Sequence, residues 1–481
     1  MIDRVFDILI KDGELIDGLG TPRYKSDLGI EKDKIVAIGK LSHAKARKTI
    51  NAKNLIVSPG FIDVHTHDDN LIFHDRSMKP KTSQGVTSVI VGNCGISLAP
   101  LILNKDKVPP PPQDLLGDRE SYIYPTFADY RTSIEKRPPA TNVGFLAGHG
   151  TLRICSMTDT NRPAKSSEID KMQYLLAESM NSGGMGISTG LIYGPNKSAS
   201  LDEITAVTEV AADYDGIYTT HMRDEGEHIN EAMEEAFLIG QRTSIPVIIS
   251  HHKCMGKSNF GRSTDTLGRI NHAKMTHTVG LDAYPYTAAS TVIIPEMVAI
   301  SERVIITWSD THPDFSGHDL DYIANKMKCR KEEAASALIP GGAIYFLMSE
   351  SDVQNILKHP DTMIGSDGLP NDVHPHPRLW GTFPRVIGHY ARDVGIFSLE
   401  EAIRKMTSLS ASYFKIKKRG ELTPGSYADI VLFDPTTIKD ASTYENPKAP
   451  AIGIHKVIVN GQVVFDEGKT GHKRPGIPLL K

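Results

Sequence analysis

The segment SPGFIDVHTH, residues 58–67, predicts the first strand of a barrel. An apolar run follows a Pro-Gly turn and ends in His65 and His67, which lie two positions apart. Because side chains alternate along a strand, both imidazoles would project to the same face. Seven further apolar runs follow along the chain, namely VTSVIVGNC, NVGFLAGHG, GMGISTG, DGIYTTHMRDE, PVIISHHK, VGLDAYPY and TMIGSDG.

Amphipathic segments separate most of these runs. In residues 166–183, 201–216 and 228–243, apolar residues recur at helical spacing. Eight strand and helix units in succession are typical of a (β/α)8 barrel. We therefore predict an α/β fold with a TIM-like (β/α)8 barrel over residues 58–417.

Both ends of the chain predict short β-strands instead. Residues 1–57 alternate between apolar and polar positions, and residues 418–481 include a hairpin whose Asn460-Gly461 pair suits a type I′ turn. Neither block can bury a sheet face alone. The two blocks are predicted to pair into one small β-sandwich domain.

Two irregular segments interrupt the barrel pattern. The seventh and eighth runs lie too far apart for a simple crossover, so residues 287–347, with Trp308, are predicted to form an inserted subdomain or lid. The segment NKDKVPPPPQDLLGD, residues 104–118, follows the second run. Its successive prolines predict an extended loop.

Composition narrows the class of protein. The 481 residues are 40% hydrophobic and 23% charged, with a net charge of −4, so no basic face indicates a nucleic-acid or anionic-membrane partner. Four scattered cysteines favour a reducing compartment. The N-terminus lacks the apolar region of a signal peptide, and no run is long enough for a membrane span. We therefore predict a cytoplasmic, monomeric protein whose partner is a small molecule.

The predicted strand ends carry residues that bind metals. Catalytic groups in such barrels lie at the C-terminal ends of the strands. His65 and His67 could chelate one cation, and Asp367 ends the strand that would close the barrel beside them. An H-x-H pair alone is more often a pair of ordinary histidines. The adjacency of Asp367 favours the metal interpretation.

A second candidate ligand set comprises Cys94, His221 and His251, at the ends of the second, fifth and sixth runs. A thiolate and two neutral imidazoles are a common zinc ligand set, and they leave one position open. A lone cysteine is usually a buried structural thiol, but the two histidines favour zinc. Neighbouring glycines fit a backbone brought close to a ligand, and Asn93 is a candidate partner of the thiolate.

Further polar residues at the strand ends predict a hydrolytic site. Asp367 is the candidate general base, since a carboxylate near an activated water can take its proton and return it to a leaving nitrogen. Lys253 and Tyr284 could hold a substrate carboxylate, and Ser290 could supply another donor. His149 is predicted to support the site or to contact the substrate.

Several motifs together resemble one family. They are SPGFIDVHTHDDN, GNCGISLAP, GISTGLIYGP, YTTHMRDEGEHI, ISHHKCMG, LDAYPYTA and MIGSDGLPNDVHPHPRLWGTFPRVIGHYARD. With them, nearly the whole chain resembles the N-acyl-D-amino-acid deacylases, or D-aminoacylases, of the amidohydrolase superfamily. The resemblance implies a barrel with a β-sandwich from both termini and an insertion after strand seven. It also implies hydrolysis of N-acyl-D-amino acids to a carboxylate and a free D-amino acid.

The resemblance also implies roles for single residues. A tightly held zinc ion would be bound by Cys94, His221 and His251. A weaker or vacant second site would comprise His65, His67 and Asp367, with Asp367 as acid and base. The implied substrate contacts are Lys253, Tyr284 and Ser290, to which we add Tyr193 from GISTGLIYGP.

One departure from the wider superfamily affects the metal count. Many amidohydrolases bridge two metals with a carboxylated lysine at the end of strand four, but that strand here ends ISTGLIYG. One working zinc is therefore expected. A cyclic amide hydrolase of the dihydropyrimidinase kind would need that lysine, and a catalytically inactive scaffold protein should have lost ligands.

The substrate side chain is predicted to be neutral and hydrophobic. The segment STVIIPEMVA and Met348 would line the insertion with apolar groups. An acidic substrate, N-acyl-D-glutamate or N-acyl-D-aspartate, is the alternative if Arg378 or Arg303 reaches the pocket.

Overall fold

Eight parallel strands form the centre of the computed structural model, which describes residues 5–104 and 106–481. All are short and buried on both faces, as expected for apolar, β-branched runs covered by helices. The strands are Phe61–Asp63, Val86–Val91, Asn142–Phe145 continued by Ala147–Gly148, Gly186–Gly190, Ile217–His221, Val247–Ile249, Val279–Ala283 and Thr362–Ile364.

The strands pair in chain order. In the third strand, Asn142–Phe145 pairs with the second strand and Ala147–Gly148 with the fourth. Beyond the eighth strand, the Asp367 amide donates to the His65 carbonyl at 2.8 Å, and the His67 amide to the Gly368 carbonyl at 3.2 Å. The predicted barrel is confirmed, and the bonds that join its two ends hold the first and eighth strand ends side by side.

Helices cover the outside of the barrel. Ser200 illustrates why they begin where they do, since its side chain accepts from the Glu203 amide and two acids occupy the first turn. The helices that follow strands two to six are Phe127–Lys136, His149–Ser156, Ser166–Asn181, Leu201–Asp213, Ile229–Thr243 and Ser263–Ala273. Around the eighth strand lie Glu350–Lys358, Arg378–Arg385 with its π-helical continuation Val386–Val394, Leu399–Met406 and Ser408–Tyr413.

The strands at both ends of the chain form one nine-stranded sheet. Ile56–Pro59 pairs antiparallel with Ile430–Phe433, which joins the two terminal blocks. The remaining strands are Val5–Leu15, Tyr24–Glu31, Lys34–Gly39, Lys45–Asn51, Ile454–Val459, Gln462–Asp466 and Lys469–Thr470. They share a core that draws on both blocks. Residues 1–4 of the predicted block lie outside the described residues, and the domain boundaries stay a prediction.

The insertion between strands seven and eight is a small antiparallel sheet with its own helices. Its strands are Ala288–Val292, Arg303–Ser309 and Gly341–Phe346, and its helices are Pro295–Ile300, Leu320–Met327 and Lys331–Ala337. Its apolar core includes Tyr284 and Met255 from the barrel strand ends. The insertion is therefore packed against the mouth of the barrel.

Residues 106–112 of the proline-rich segment form no helix or strand, and a 3-10 turn follows at Gln113–Leu116. Within residues 5–104 and 106–481, every helix is too short or too polar to cross a bilayer.

Candidate metal centre and substrate cavity

Cys94 lies at the centre of the predicted ligands. Its Sγ is 3.2 Å from His65 Nε2 and 3.4 Å from His251 Nε2. His251 Nε2 is in turn 2.9 Å from His221 Nδ1. All four side chains are buried. The second, fifth and sixth strand ends therefore converge with the first.

Asp367 completes the cluster from the eighth strand end. Its Oδ1 is 3.2 Å from His67 Nε2 and 3.5 Å from His65 Nε2. Its other oxygen, Oδ2, lies 3.0 Å from Arg378 Nη2. The carboxylate is thus placed between the histidines and a buried guanidinium.

The spacing of these atoms fits a metal ion. Two ligands bound to one tetrahedral zinc lie about 3.3–3.7 Å apart, close to the separations seen here. Ligand atoms of His65, Cys94, His251 and Asp367 lie within 4.8 Å of one another, and those of His221, Glu225 and His251 form a second such group. Each group differs from the predicted ligand sets, and the first combines residues from both of them. The division into a tight and a weak site therefore stays a prediction.

The backbone is strained at three of the ligands. Cys94, His251 and Asp367 have φ values of 53°, 36° and 50°, in the left-handed region that non-glycine residues rarely adopt. Such conformations cost about 1–3 kcal/mol each and cluster at functional sites. Three of them directed at one point indicate that the strand ends are shaped for ligation.

The residues around Cys94 support the loop and not the thiolate. A Cβ on Gly95 would lie 2.7 Å from the Gly190 amide nitrogen, so this glycine allows the second and fourth strand ends to touch. Asn93 Nδ2 donates to the Ile90 carbonyl at 2.8 Å. Asn93 therefore holds the loop and not the thiolate, and the expectation that the neighbouring glycines approach a ligand stays a prediction.

Two buried carboxylates orient the ligand histidines. Glu225 Oε1 lies 3.1 Å from His251 Nδ1, and its Oε2 lies 3.5 Å from His221 Nε2. Asp282 accepts from the His251 amide at 2.9 Å and lies 3.3 Å from His65 Nδ1. Carboxylates behind metal-binding histidines fix the tautomer and ring orientation. Sequence reasoning missed both, although Glu225 stands four residues after His221.

Electrostatics favour an ionised thiol and carboxylate. Burial opposes ionisation of Cys94, but His65 and His251 overcome it and hold the pKa of the thiol well below its usual range. Burial likewise opposes ionisation of Asp367, yet Arg378 and His251 hold the pKa of that carboxyl well below its usual range. Burial, together with His251, lowers the pKa of His221. A thiolate and a neutral imidazole are the forms that zinc binds.

A cavity of about 490 Å³ opens onto the ligands. Tyr193, Lys253, Tyr284 and Ser290, all predicted substrate contacts, line it. The Tyr284 hydroxyl and Ser290 Oγ are buried and have no hydrogen-bond partner within the described residues. Unpartnered buried donors are costly, so these groups are placed to meet a ligand.

Two buried cations lie near the cavity, Lys253 in its lining and Arg378 over the Tyr284 ring. Lys253 Nζ lies 2.7 and 2.9 Å from the two oxygens of Glu225, so its charge is largely compensated. Arg378 is 1% exposed, and one nitrogen bonds Asp367 and the Ser290 carbonyl. Its Nε and Nη1 have no partner in the described chain. The sequence had suggested Arg378 only as a partner for an acidic side chain.

Three predicted contacts lie elsewhere. His149 is fully buried, 2.9 Å from Asn196 Oδ1 and 3.4 Å from Glu203 Oε1, and its role as a substrate contact stays a prediction. Met348 lines a separate cavity of about 290 Å³ on the far side of Tyr284. Arg303 is exposed and paired with Asp319 at 2.8 Å. None of the three lines the cavity that opens onto the ligands.

Comparisons with known proteins agree with this geometry. The chain matches the amidohydrolase family over residues 48–287 and 332–465. It is 51% identical to a D-aminoacylase from Alcaligenes xylosoxydans xylosoxydans over 462 residues, which cover 96% of this chain and 95% of that protein.

Two solved structures share the fold closely. A crystal structure of D-aminoacylase has a TM-score of 0.97 and 48% identity, with 99% of this chain and 100% of that chain covered. N-acyl-D-glutamate deacylase from Bordetella bronchiseptica, solved with zinc and a phosphonate mimic of the tetrahedral intermediate, has a TM-score of 0.96 and 42% identity with the same coverage. The chain therefore belongs to the amidohydrolase family and, within it, to the N-acyl-D-amino-acid deacylases that its motifs resembled.

Proposed function

We propose that this protein hydrolyses the amide bond of N-acyl-D-amino acids with the help of zinc, releasing a carboxylate and a free D-amino acid. One observation carries the proposal. Cys94 lies among histidines and Asp367 at the bottom of a cavity whose wall presents unpartnered donors from Tyr284 and Ser290. The names of the relatives, D-aminoacylase and N-acyl-D-glutamate deacylase, support the same reaction class.

The proposed tight zinc site comprises Cys94, His221 and His251, and the weaker one His65, His67 and Asp367. Zinc held there supplies Lewis-acid polarisation of a carbonyl and lowers the pKa of water towards about 7. The soft thiolate favours zinc over magnesium or calcium. One working zinc remains the proposal because no lysine ends the fourth strand at Gly190.

Asp367 is the proposed acid and base. It enters the reaction ionised, because Arg378 and the histidines stabilise its charge. It takes a proton from the attacking water as the water oxygen bonds to the acyl carbon. It then gives that proton to the amide nitrogen as the C–N bond breaks, so the products are the carboxylate and the amine.

The α-carboxylate of the substrate would bind the free donors of the cavity. Tyr284 and Ser290 offer two hydroxyl groups, with Lys253 beside them. The buried guanidinium of Arg378 bonds the Ser290 carbonyl behind this wall. A substrate fixed at its carboxylate, its amide and its side chain can present only one enantiomer correctly. This is the physical basis proposed for D-specificity.

A neutral, hydrophobic side chain remains the proposed preference. Apolar residues line much of the cavity, including Ile192, Met255, Ile294 and Met297. Among the described residues, no arginine lines that cavity. An acidic side chain would lose its hydration there without gaining a second cation, which makes N-acyl-D-glutamate and N-acyl-D-aspartate the second candidates.

The proposed setting is the cytoplasm, where the free thiol of Cys94 would stay reduced. A monomer with a small-molecule substrate is the proposed assembly.

Side-by-side assays of the zinc-loaded protein test the function. N-acetyl-D-leucine and N-acetyl-D-methionine should be hydrolysed faster than N-acetyl-D-glutamate and far faster than N-acetyl-L-methionine. Equal turnover of the L-form would overturn D-specificity. Faster turnover of the D-glutamate compound would overturn only the side-chain preference.

A further inference from the structure

A second depression, here termed the mouth groove, opens beside the catalytic cavity. Its volume is about 1560 Å³. Three segments line it, namely the proline-rich loop within residues 106–119, the insertion within residues 308–316 and residues 371–373 after the eighth strand. The proposed reaction gives this groove no role.

The mouth groove adjoins the catalytic cavity at one shared residue. Leu115 lines both of them. Asn371 Nδ2 donates to the Leu115 carbonyl at 2.9 Å, and Leu369, two residues earlier, lines the cavity. A substrate chain that passes Leu115 therefore leaves the cavity and enters the groove.

Much of the groove wall is apolar. Val108 and Val373 are 76% and 63% exposed, which is unusual for valine, and Trp308 lies with them along the groove. Exposed apolar side chains that line one groove are typical of a binding surface. They suit an alkyl chain.

Two carboxylates of the same groove each have one oxygen without a hydrogen-bond partner. Asp372 is 4% exposed, and its Oδ2 has no hydrogen-bond partner within residues 5–104 and 106–481. The same holds for Oδ1 of Asp114. Burial, with Asp114 nearby, raises the pKa of Asp372 to about 7, and burial with Asp310 nearby raises that of Asp114 to about 7.

The bases of the groove do not compensate these acids. Five aspartates and two bases, Lys107 and Arg119, line it. Arg119 pairs with Glu120 at 3.3 Å, and no ion pair of the described chain involves any groove aspartate. A buried carboxylate that lacks a partner gains most from a cation with N–H donors.

We propose that the mouth groove binds the far end of an extended acyl group, one with an apolar stem and a terminal ammonium. The substrate class is thus N-acyl-D-amino acids with an aminoalkanoyl or lysine-like acyl chain. The inference rests on the proposed function, since the same amide bond is hydrolysed. The stem lies along Val108, Trp308 and Val373, and the ammonium reaches Asp372 and Asp114.

A matched series of acyl groups tests this assignment. N-(6-aminohexanoyl)-D-leucine and N-heptanoyl-D-leucine differ little in length. The acyl chain of the first ends in an ammonium, and that of the second ends in a neutral methyl group. At pH 8, kcat/KM should be about tenfold higher for the aminohexanoyl compound, as one charge-assisted hydrogen bond contributes. Asp372→Asn and Asp114→Asn should each bring the ratio towards one and leave N-acetyl-D-leucine turnover unchanged.

Asp314→Asn is the control, because Asp314 is exposed on the same insertion but does not line the groove. It should not change the ratio. A ratio of one in the unaltered protein, or a ratio that survives both groove substitutions, would overturn the proposal. If Asp372→Asn does not fold, Asp114→Asn decides.

Failure of the groove and failure of the proposed function give different results. Turnover of N-acetyl-D-leucine without any preference for the cationic acyl group overturns the groove alone. Loss of all turnover overturns the proposed function. In that case, calorimetric binding of the two long-chain compounds still tests the groove, and equal Kd values would overturn it.

Discussion

Asp367 in the catalytic cavity and Asp372 in the mouth groove lie five residues apart and are almost equally buried, at 7% and 4% exposed. Their environments shift the pKa in opposite directions. Arg378 and the histidines hold the pKa of Asp367 well below its usual range, whereas burial raises that of Asp372 to about 7.

The difference shows how the two regions are built. In the cavity, each buried charge has a partner from another strand end, so thiolate, carboxylates, histidines and guanidinium stabilise one another. In the groove, one oxygen of Asp372 and one of Asp114 accept no hydrogen bond within the described residues. A charge network that is complete can hold a metal and move a proton, while an incomplete one is suited to a ligand that completes it.

The largest effect is expected from removing the thiolate of the cavity. Cys94→Ala should lose tightly bound zinc and reduce kcat/KM roughly a thousandfold or more, because the Lewis acid is lost with its soft ligand. Metal analysis and steady-state kinetics measure both. Cys329→Ala, in the insertion, is the control and should retain both. Retention of zinc and activity by Cys94→Ala would falsify the proposed tight site.

Asp367 and Asp372 can be compared by the same substitution. Asp367→Asn should lower kcat by about 10²–10⁴ with zinc retained, since it removes the acid and base but not the tight ligands. Asp372→Asn should leave N-acetyl-D-leucine turnover unchanged. Similar losses in the two variants would show that the effect is structural and not catalytic.

A smaller effect is expected from the carboxylate behind the ligands. Glu225→Gln should weaken zinc binding by about 10–100-fold, because the histidines lose their orienting partner. Competition with a chelator measures the affinity. Glu227→Gln, exposed on the same loop, should have no effect. An unchanged zinc affinity in Glu225→Gln would mean that Glu225 neutralises Lys253 and does not orient the histidines.

The smallest effect concerns stability in the groove. The folded-state pKa of Asp372, about 7, exceeds its ordinary value of 3.8, so the folded protein binds more protons than the unfolded chain between these values. Stability from this group is therefore lost as pH rises from about 4 to about 7. In thermal scans, the Tm of Asp372→Asn should equal that of the unaltered protein at pH 4 and lie about 1–3 °C above it at pH 8. Coincident melting at both pH values would contradict the raised pKa.

The local sequence pattern predicted much of the fold and the metal-binding residues of the site, but not the partners of those residues. The barrel strands, the insertion and the strand-end ligands follow from apolar periodicity and from the rule that strand ends carry the chemistry. His65, His67, Cys94 and Asp367 could be found in this way because each directly follows an apolar run. His149 satisfied the same pattern, but the structure packs it against Asn196 and Glu203 and not along the cavity.

The sequence by itself determined the barrel, the family and the identity of the metal-binding residue types, because these depend on short-range order along each strand. Only the tertiary structure decided which charged side chains pair with one another. Asp367 meets His67 across 300 residues, and Lys253 is compensated by Glu225 from another strand end. Whether a buried charge is free or satisfied depends on such distant neighbours, which no local spacing encodes.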